Sequence, residues 1–266
     1  MKELERAVSQ LARPGEERHQ GIHQARKSIR RARALLALGG EAFSASPAVR
    51  RLDAALRSLC RGLSAQRDAD ALRDALLHLA RDAVIGPIEC ERLCAFVAVR
   101  RARRLATALA RDPDFARRRA RLLQAQTRLE LLPWAGVKSA AIDAALVLSR
   151  KRLRKALKAA KGGADTEAWH TLRRRLRRLR QQESALARIR PEADAATPGV
   201  ADLADRMGKA QDHALLLAHC RRSGVFPARD RATLRRLVEP LYAAALQDAV
   251  DALSWRDQGV APGSTA

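Results

Sequence analysis

The chain has 266 residues, 47% of them hydrophobic, and its 52 Lys+Arg against 29 Asp+Glu give a formal net charge of +23 at pH 7. A chain of this length and hydrophobic content can bury a sizeable core, which argues against a wholly disordered protein. The positive excess is even, +12 on residues 1–135 and +11 on residues 136–266. It therefore argues against a basic tail on a neutral enzyme and indicates a polyanionic partner.

The cysteines and the amino-terminal residues bear on the compartment. The four cysteines form no CxxC pair and no dense framework like that of small secreted proteins, so we expect reduced thiols. Residues 1–6 mix acidic with basic side chains, unlike a signal peptide, and no uncharged apolar run approaches membrane-spanning length. The sequence therefore predicts a cytoplasmic protein with no membrane partner.

Apolar residues recur at three- and four-residue steps along almost the whole chain, and β-branched and aromatic residues are scarce. This pattern predicts an all-α protein of about eight long helices. The first helix is expected to run roughly from Glu16 to Leu38. Later helix starts are marked by prolines placed where a first helical turn tolerates them, at Pro47, Pro87, Pro113 and Pro198.

A break at Pro133 and Gly136 divides the chain into two halves, roughly residues 1–135 and 136–256. Both halves are expected to belong to a single domain. Residues 257–266 lack apolar periodicity, and we expect them to form a disordered tail.

The two halves contain similar segments. Residues 23–33 and 170–180 share the pattern H-x-x-R-[KR]-x-x-R-R-x-R. A second echo follows each copy at a similar distance, Leu-Ser-Ala-Gln-Arg-Asp at 63–68 and Met-Gly-Lys-Ala-Gln-Asp at 207–212. Self-similarity of this kind indicates internal repetition. The sequence therefore predicts a duplicated helical bundle.

Each copy of the pattern places basic side chains on one helical face and apolar side chains on the opposite face. An ordinary solvated face interleaves acids with bases, because like charges four residues apart repel, and neither run contains an acid. We therefore expect a polyanion to supply the missing negative charge. Further basic runs at 100–104, 117–121 and 150–161 are assigned a secondary role, because consecutive arginines point in different directions on a helix.

The paired histidine-led helices, each followed by Arg67-Asp68 or Gln211-Asp212, resemble the CHAD family, the conserved histidine α-helical domain. The resemblance covers about His19 to about Leu253. Two departures concern local packing rather than the cationic face: residues 181–184 read Gln-Gln-Glu-Ser, and serine replaces glycine before the first aspartate. Because no ExExK pattern of a fused triphosphate-tunnel domain is present, the chain resembles a stand-alone member.

The resemblance implies two similar four-helix bundles about a pseudo-twofold axis, with a basic central groove or cavity between them. It also implies binding of inorganic polyphosphate and association with polyphosphate granules. The residues that it places along the two sides of the groove are His23, Arg26, Lys27, Arg30 and Arg33, and His170, Arg173, Arg174, Arg177 and Arg180.

The histidines and aspartates of the pattern have two readings each. His23 and His170 either donate hydrogen bonds to phosphate or orient and pack their helices. Asp68 and Asp212, with Arg67 beside the first, either hold arginines of the cationic face in position or cap and link helices. His19 has metal-site spacing with His23, but no third ligand is evident and arginines surround the pair, so we expect no metal and no cofactor.

Two other functions compete with polyphosphate binding. The first alternative is nonspecific binding to duplex nucleic acid, which needs only phosphate contacts. Binding to single strands is disfavoured, because it usually uses aromatic platforms and only 3% of the residues are aromatic. An accessory protein of a polyphosphate-metabolising enzyme is the second. Because phosphoryl transfer generally needs clustered carboxylates with a metal, or a P-loop, we expect no catalytic residues and no enzyme activity. The oligomeric state is left open.

Overall fold

The computed structural model describes residues 1–40, 43, 45–162, 166–190, 197, 199–221 and 224–257. Within these residues the chain contains ten α-helices, three short 3-10 helices and no strand, which confirms the predicted all-α class. The α-helices are α1 (Lys2–Leu11), α2 (Glu17–Leu36), α3 (Pro47–Gly62), α4 (Ser64–Arg81), α5 (Pro87–Arg111), α6 (Ala116–Glu130), α7 (Ser139–Lys161), α8 (Thr166–Ile189), α9 (Val200–His219) and α10 (Ala228–Asp257).

Two of the predicted helix starts are confirmed, at Pro47 and Pro87, where the fixed φ angle and missing N–H of proline suit the first helical turn. The Ser46 hydroxyl also accepts a hydrogen bond from the backbone N–H of Val49. Pro113 begins a 3-10 helix ahead of α6 rather than the α-helix itself. Pro198 and the predicted tail beyond Asp257 lie outside the described residues. No described helix combines the length and the apolar character needed to cross a membrane.

The first helix, α1, was not among the predicted helices, and it packs against α2 and α6. Leu4, Ala7 and Leu11 bury one face of α1 in the core. The two helices approach closely at Gly21, where a Cβ atom would lie only 2.1 Å from the carbonyl oxygen of Gln10. Glycine at this position therefore lets α1 cover the amino-terminal half of α2.

Three hydrophobic cores hold the described helices together. The first is formed mainly by α1, α2, α3 and α6, and the second by α7, α8, α9 and the end of α10. The third joins α4 and α5 to the later part of α9 and the early part of α10. This third core draws on both sides of the predicted boundary near residue 135, so the two sequence halves share buried side chains. Their similarity as two four-helix bundles stays a prediction.

The two basic helices, α2 and α8, pack against each other. The buried Gln182 side chain on α8 donates a hydrogen bond from Nε2 to the Ala34 carbonyl oxygen on α2, over 3.2 Å. One helical turn or so earlier, Arg177 lowers the pKa of Arg30 electrostatically, which places these side chains near each other. The basic faces of the two helices therefore adjoin each other.

Candidate functional site

Five arginines from three helices form a central arginine cluster. Each is a charged neighbour of at least one other member across a helix boundary, and all are partly buried. The contact of α2 with α8 brings most of them together, and α4 adds the fifth from one side. The members are Arg26, Arg30, Arg67, Arg173 and Arg177.

The pKa values of three cluster members show that the cluster is electrostatically unfavourable on its own. Burial, and after it the charges of neighbouring arginines, lower the pKa of Arg30, Arg173 and Arg177 to about 10. Both effects disfavour the charged form of a guanidinium group. The protein without a ligand therefore buries these like charges together at a cost in free energy.

Hydrogen bonds hold the outer members of the cluster in place. Arg26 donates from Nη1 to the Cys60 carbonyl oxygen and to the Ser64 hydroxyl, both at 2.6 Å. Arg173 donates from Nη1 to Oε1 of Gln211 over 3.1 Å.

Arg67 pairs with Oδ2 of Asp74 over 3.2 Å. Arg30 and Arg177, in contrast, have neither a hydrogen-bond acceptor nor a carboxylate partner within the part of the chain that the structure describes. The two central guanidinium groups are therefore the ones whose charge is left uncompensated.

Two aspartates lie beside the cluster, as their place in the sequence pattern suggested. Asp68 has Arg26 and Arg67 as charged neighbours, and Asp212 has Arg173 and Arg67. Burial raises the pKa of Asp212, whose Oδ2 lies 3.5 Å from Nδ1 of His78. Among the described contacts, neither aspartate hydrogen-bonds directly to its arginine, so each acts through the local field.

The two pattern histidines occupy different surroundings. Burial lowers the pKa of His23 to about 4, and the charges of Arg67, Lys27 and Arg30 add to this effect. His23 is therefore neutral at pH 7 in the protein without a ligand. His170 is partly buried and shares a small recess with Trp169, Arg173 and Tyr242. Both ring systems border the cluster, and Lys27 adjoins it next to His23.

Three of the predicted groove residues do not join the cluster. Arg33 forms a bidentate ion pair with Asp53 of α3, with distances of 2.7 and 3.0 Å. Arg174 is exposed and pairs with Glu167 on its own helix over 2.6 Å.

Arg180 is exposed and pairs with Asp205 of α9 over 2.9 Å. In all three cases an acid outside the repeated pattern already supplies the counter-charge. A search restricted to the basic pattern could not find these acids.

The geometry suits anion binding better than any other chemistry. Guanidinium groups present planar forks of N–H donors that match phosphate oxygens, and burial strengthens such contacts. Among the described residues no group of three or more His, Cys, Asp and Glu side chains is arranged to hold a metal ion. Nδ1 of His19, the histidine four residues before His23, lies 3.6 Å from Oδ1 of Asp70, which accepts a hydrogen bond from Arg101.

A sequence model of the CHAD domain family matches residues 2–221. The chain belongs to the CHAD domain family. The match begins earlier than the expected limit near His19, so it includes α1, and it ends before α10. The whole central arginine cluster of this CHAD domain lies within the matched residues. No curated protein and no solved structure matches the chain.

Proposed function

We propose that this CHAD domain binds inorganic polyphosphate at the central arginine cluster. The observation that carries the proposal is the pair Arg30 and Arg177, which adjoin each other across the contact of α2 with α8. Both side chains are largely desolvated, and no described carboxylate pairs with either. A bound polyanion would supply the charge that the protein does not, and it would relieve the repulsion between the two helices.

Polyphosphate fits the cluster because it carries about one negative charge per phosphate and has no bases. Two cluster members next to Arg30 and Arg177 are already oriented by hydrogen bonds within the protein, Arg26 to Ser64 and Arg173 to Gln211. Such fixed donors lose little side-chain entropy when a ligand binds. A repeating chain of phosphates can engage several of them at once, so affinity should rise with chain length and fall with salt.

The proposal includes two related halves that line one groove. Its support lies in matched contacts 147 residues apart. Arg26 and Arg173 each donate to a side chain 38 residues further on, Ser64 and Gln211 respectively. Arg33 and Arg180 are each paired with an aspartate of another helix, Asp53 and Asp205. The arginines at equivalent positions of the two copies thus make interactions of the same kind, as an internal duplication favours, although their partners are not at equivalent positions of the echo at 63–68 and 207–212.

We also propose that the site binds without catalysing a reaction, and that binding can recruit the protein to polyphosphate granules. The two aspartates of the sequence pattern each lie beside a cluster arginine, Asp68 beside Arg26 and Asp212 beside Arg173. Their charges are thus directed at the cationic face. This arrangement supports a positioning role rather than that of metal ligands.

A competitive titration tests the ligand class. Polyphosphate of about 100 units, duplex DNA, single-stranded RNA and heparin are titrated at matched charge concentration in about 0.15 M salt. We expect polyphosphate to bind most tightly, with an affinity that increases from short to long chains. Tighter binding of duplex DNA under these conditions would make nonspecific nucleic-acid binding the function instead.

A variant tests the place of binding. Replacing Arg26, Arg30, Arg173 and Arg177 with glutamate should abolish polyphosphate binding while circular dichroism shows the same helix content. If the variant keeps its affinity, the ligand binds elsewhere on the protein. If it loses its helix content, glutamine replacements at the same four positions remove the charge with less repulsion and answer the same question.

A further inference from the structure

A cavity of about 700 Å³ lies between α2, α3, α7 and α8. It opens where the end of α2, the start of α3, the amino-terminal half of α7 and the middle of α8 meet, and none of the five cluster arginines lines it. Its size falls within the range of about 300 to 1,000 Å³ that is usual for small-molecule sites. The cavity is thus a second candidate site, which shares no residue with the central arginine cluster.

The cavity has an apolar floor. Leu36, Phe43 and Val49 are all buried and line it, and Leu148 contributes an exposed apolar side chain at its edge. The Phe43 ring packs edge-on against Trp134, with 5.0 Å between ring centroids. A Cβ atom at Gly39 would lie 2.2 Å from the same ring, so only glycine leaves room for Phe43 there. The floor is therefore held in a fixed position.

The walls of the cavity are cationic. Five arginines and one aspartate line it, so the lining charge is strongly positive. The aspartate, Asp53, is engaged by Arg33 in a bidentate ion pair and by Arg57 over 3.4 Å. The remaining lining arginines are Arg50, Arg152 and Arg178.

Two of these arginines lack a carboxylate partner. Neither Arg152 nor Arg178 forms an ion pair or a hydrogen bond with any residue in the described ranges. Burial lowers the pKa of Arg178, and Arg33, Arg175 and Arg152 lower it further against the opposing effect of Asp53. An anion between Arg152 and Arg178 would offset this repulsion.

We propose that this cavity binds a small amphiphilic anion, with a phosphate or carboxylate head between Arg152 and Arg178 and an apolar body on the Leu36, Phe43 and Val49 floor. Inorganic polyphosphate has no apolar part and would gain nothing from this floor. A ligand with both parts gains the charge-assisted hydrogen bonds of the head and the burial of its body. Binding of such an anion in this cavity does not depend on polyphosphate binding at the central arginine cluster.

Calorimetric titration with matched probes tests this proposal. Hexyl phosphate carries both parts of the ligand, inorganic phosphate carries the head alone, and hexanol carries the body alone. We expect hexyl phosphate to bind at least roughly tenfold more tightly than either partial probe, because several methylene groups leave water. Heptanoate in place of hexyl phosphate decides whether the head is a carboxylate or a phosphate. Equal affinities for hexyl phosphate and inorganic phosphate would overturn the proposal.

Variants locate the binding. The double variant Arg152→Gln/Arg178→Gln should weaken hexyl phosphate binding by roughly tenfold or more, and Leu148→Gln should weaken hexyl phosphate without changing inorganic phosphate. The control Arg30→Gln/Arg177→Gln should keep the full affinity for hexyl phosphate, whatever its effect on polyphosphate. Unchanged binding in the Arg152/Arg178 variant, or displacement of hexyl phosphate by polyphosphate, would refute a separate amphiphile site. Melting temperatures verify that each variant is folded.

Discussion

Arginines at two places in this molecule have opposite electrostatic surroundings. Arg92 on α5 forms two hydrogen bonds with the buried Asp230 of α10, at 2.7 and 2.8 Å, and this contact raises the pKa of Arg92 and lowers that of Asp230. Arg30 and Arg177 are more deeply placed, have no described acidic partner, and have lowered pKa values. The difference separates an arginine that joins two helices from two arginines that have no counter-charge among the described residues. In a chain with 52 Lys+Arg, the type of residue alone cannot make this distinction.

The largest expected effect comes from removing the two uncompensated charges. Arg30→Gln/Arg177→Gln should weaken polyphosphate binding about 100-fold, because two charge-assisted contacts of about 1.5 kcal/mol each are lost. The matched control Arg121→Gln/Arg128→Gln removes the same charge from exposed positions on α6 and should change affinity by less than about threefold. A fluorescence competition assay measures the polyphosphate affinity of both double variants. Equal losses in the two variants would mean that net charge, rather than the cluster, determines binding.

Breaking the ion pair between Arg92 and Asp230 should change the stability of the protein and leave ligand binding unchanged. Asp230→Ala removes the buried carboxylate that binds Arg92, and because the Arg92 side chain is exposed and stays solvated, only the two hydrogen bonds are lost. The melting temperature should fall by a few degrees, as measured by calorimetry. Polyphosphate affinity should stay at the wild-type value. A drop in affinity would show that α10 takes part in the binding site.

A single neutral replacement in the cluster should stabilise the ligand-free protein. Arg177→Met keeps much of the side-chain volume and removes a desolvated like charge, so the melting temperature should rise by about 3 °C. With saturating polyphosphate the wild type should have the higher melting temperature, because it binds polyphosphate more tightly and gains more stability from it. A lower melting temperature for the variant without ligand would show that Arg177 serves the fold rather than the ligand.

The smallest effect concerns His23 and pH. Its pKa in the folded protein is about 4, below the ordinary value of 6.5, so the unfolded chain binds more protons between these pH values. The contribution of His23 to stability is therefore lost as pH falls from about 6.5 to 4. A polyanion nearby should raise the pKa of His23, so affinity should increase a few-fold as pH falls from 7 to 5.

Titration calorimetry at pH 5.5 in two buffers of different ionisation enthalpy measures the proton that His23 takes up on binding. The variant His23→Gln should lose this proton uptake and should have a flatter pH dependence of affinity. Other histidines are present in both proteins, so the difference between the two isolates His23. The same proton uptake in both would place His23 away from the ligand.

Much of the cluster could be predicted from helical periodicity alone. Positions 26 and 30 on one helix and 173 and 177 on the other are four residues apart, and so must lie on one face if the segments are helical. The same reasoning predicted the all-α class. Arg174 is one residue beyond Arg173 and therefore about 100° away around the helix, where it pairs with Glu167. The absence of Arg174 from the central arginine cluster therefore follows from the same helical geometry.

Other features depended on contacts between distant parts of the chain. Arg33 lies on the same stripe as Arg26, but Asp53 from the neighbouring α3 neutralises it, and periodicity within α2 says nothing about α3. The contact of α2 with α8 rests on tertiary packing, as the bond between Gln182 and Ala34 illustrates. The helix α1 was different. Its apolar residues Leu4, Ala7 and Leu11 have helical spacing, so the sequence alone is sufficient to predict it.

The third core has a consequence for the order in which the protein can fold during synthesis. Leu72, Leu76 and Leu93 of the α4 and α5 pair pack with Leu216 and Leu234, which follow more than a hundred residues later. While the ribosome is still adding the intervening helices, the α4 and α5 pair has no partner for its apolar face. Contacts between such distant positions form late and slow folding. A truncated chain that ends before α9 would expose the apolar face of α4 and α5. Aggregation of such truncated chains should therefore begin at the α4 and α5 pair.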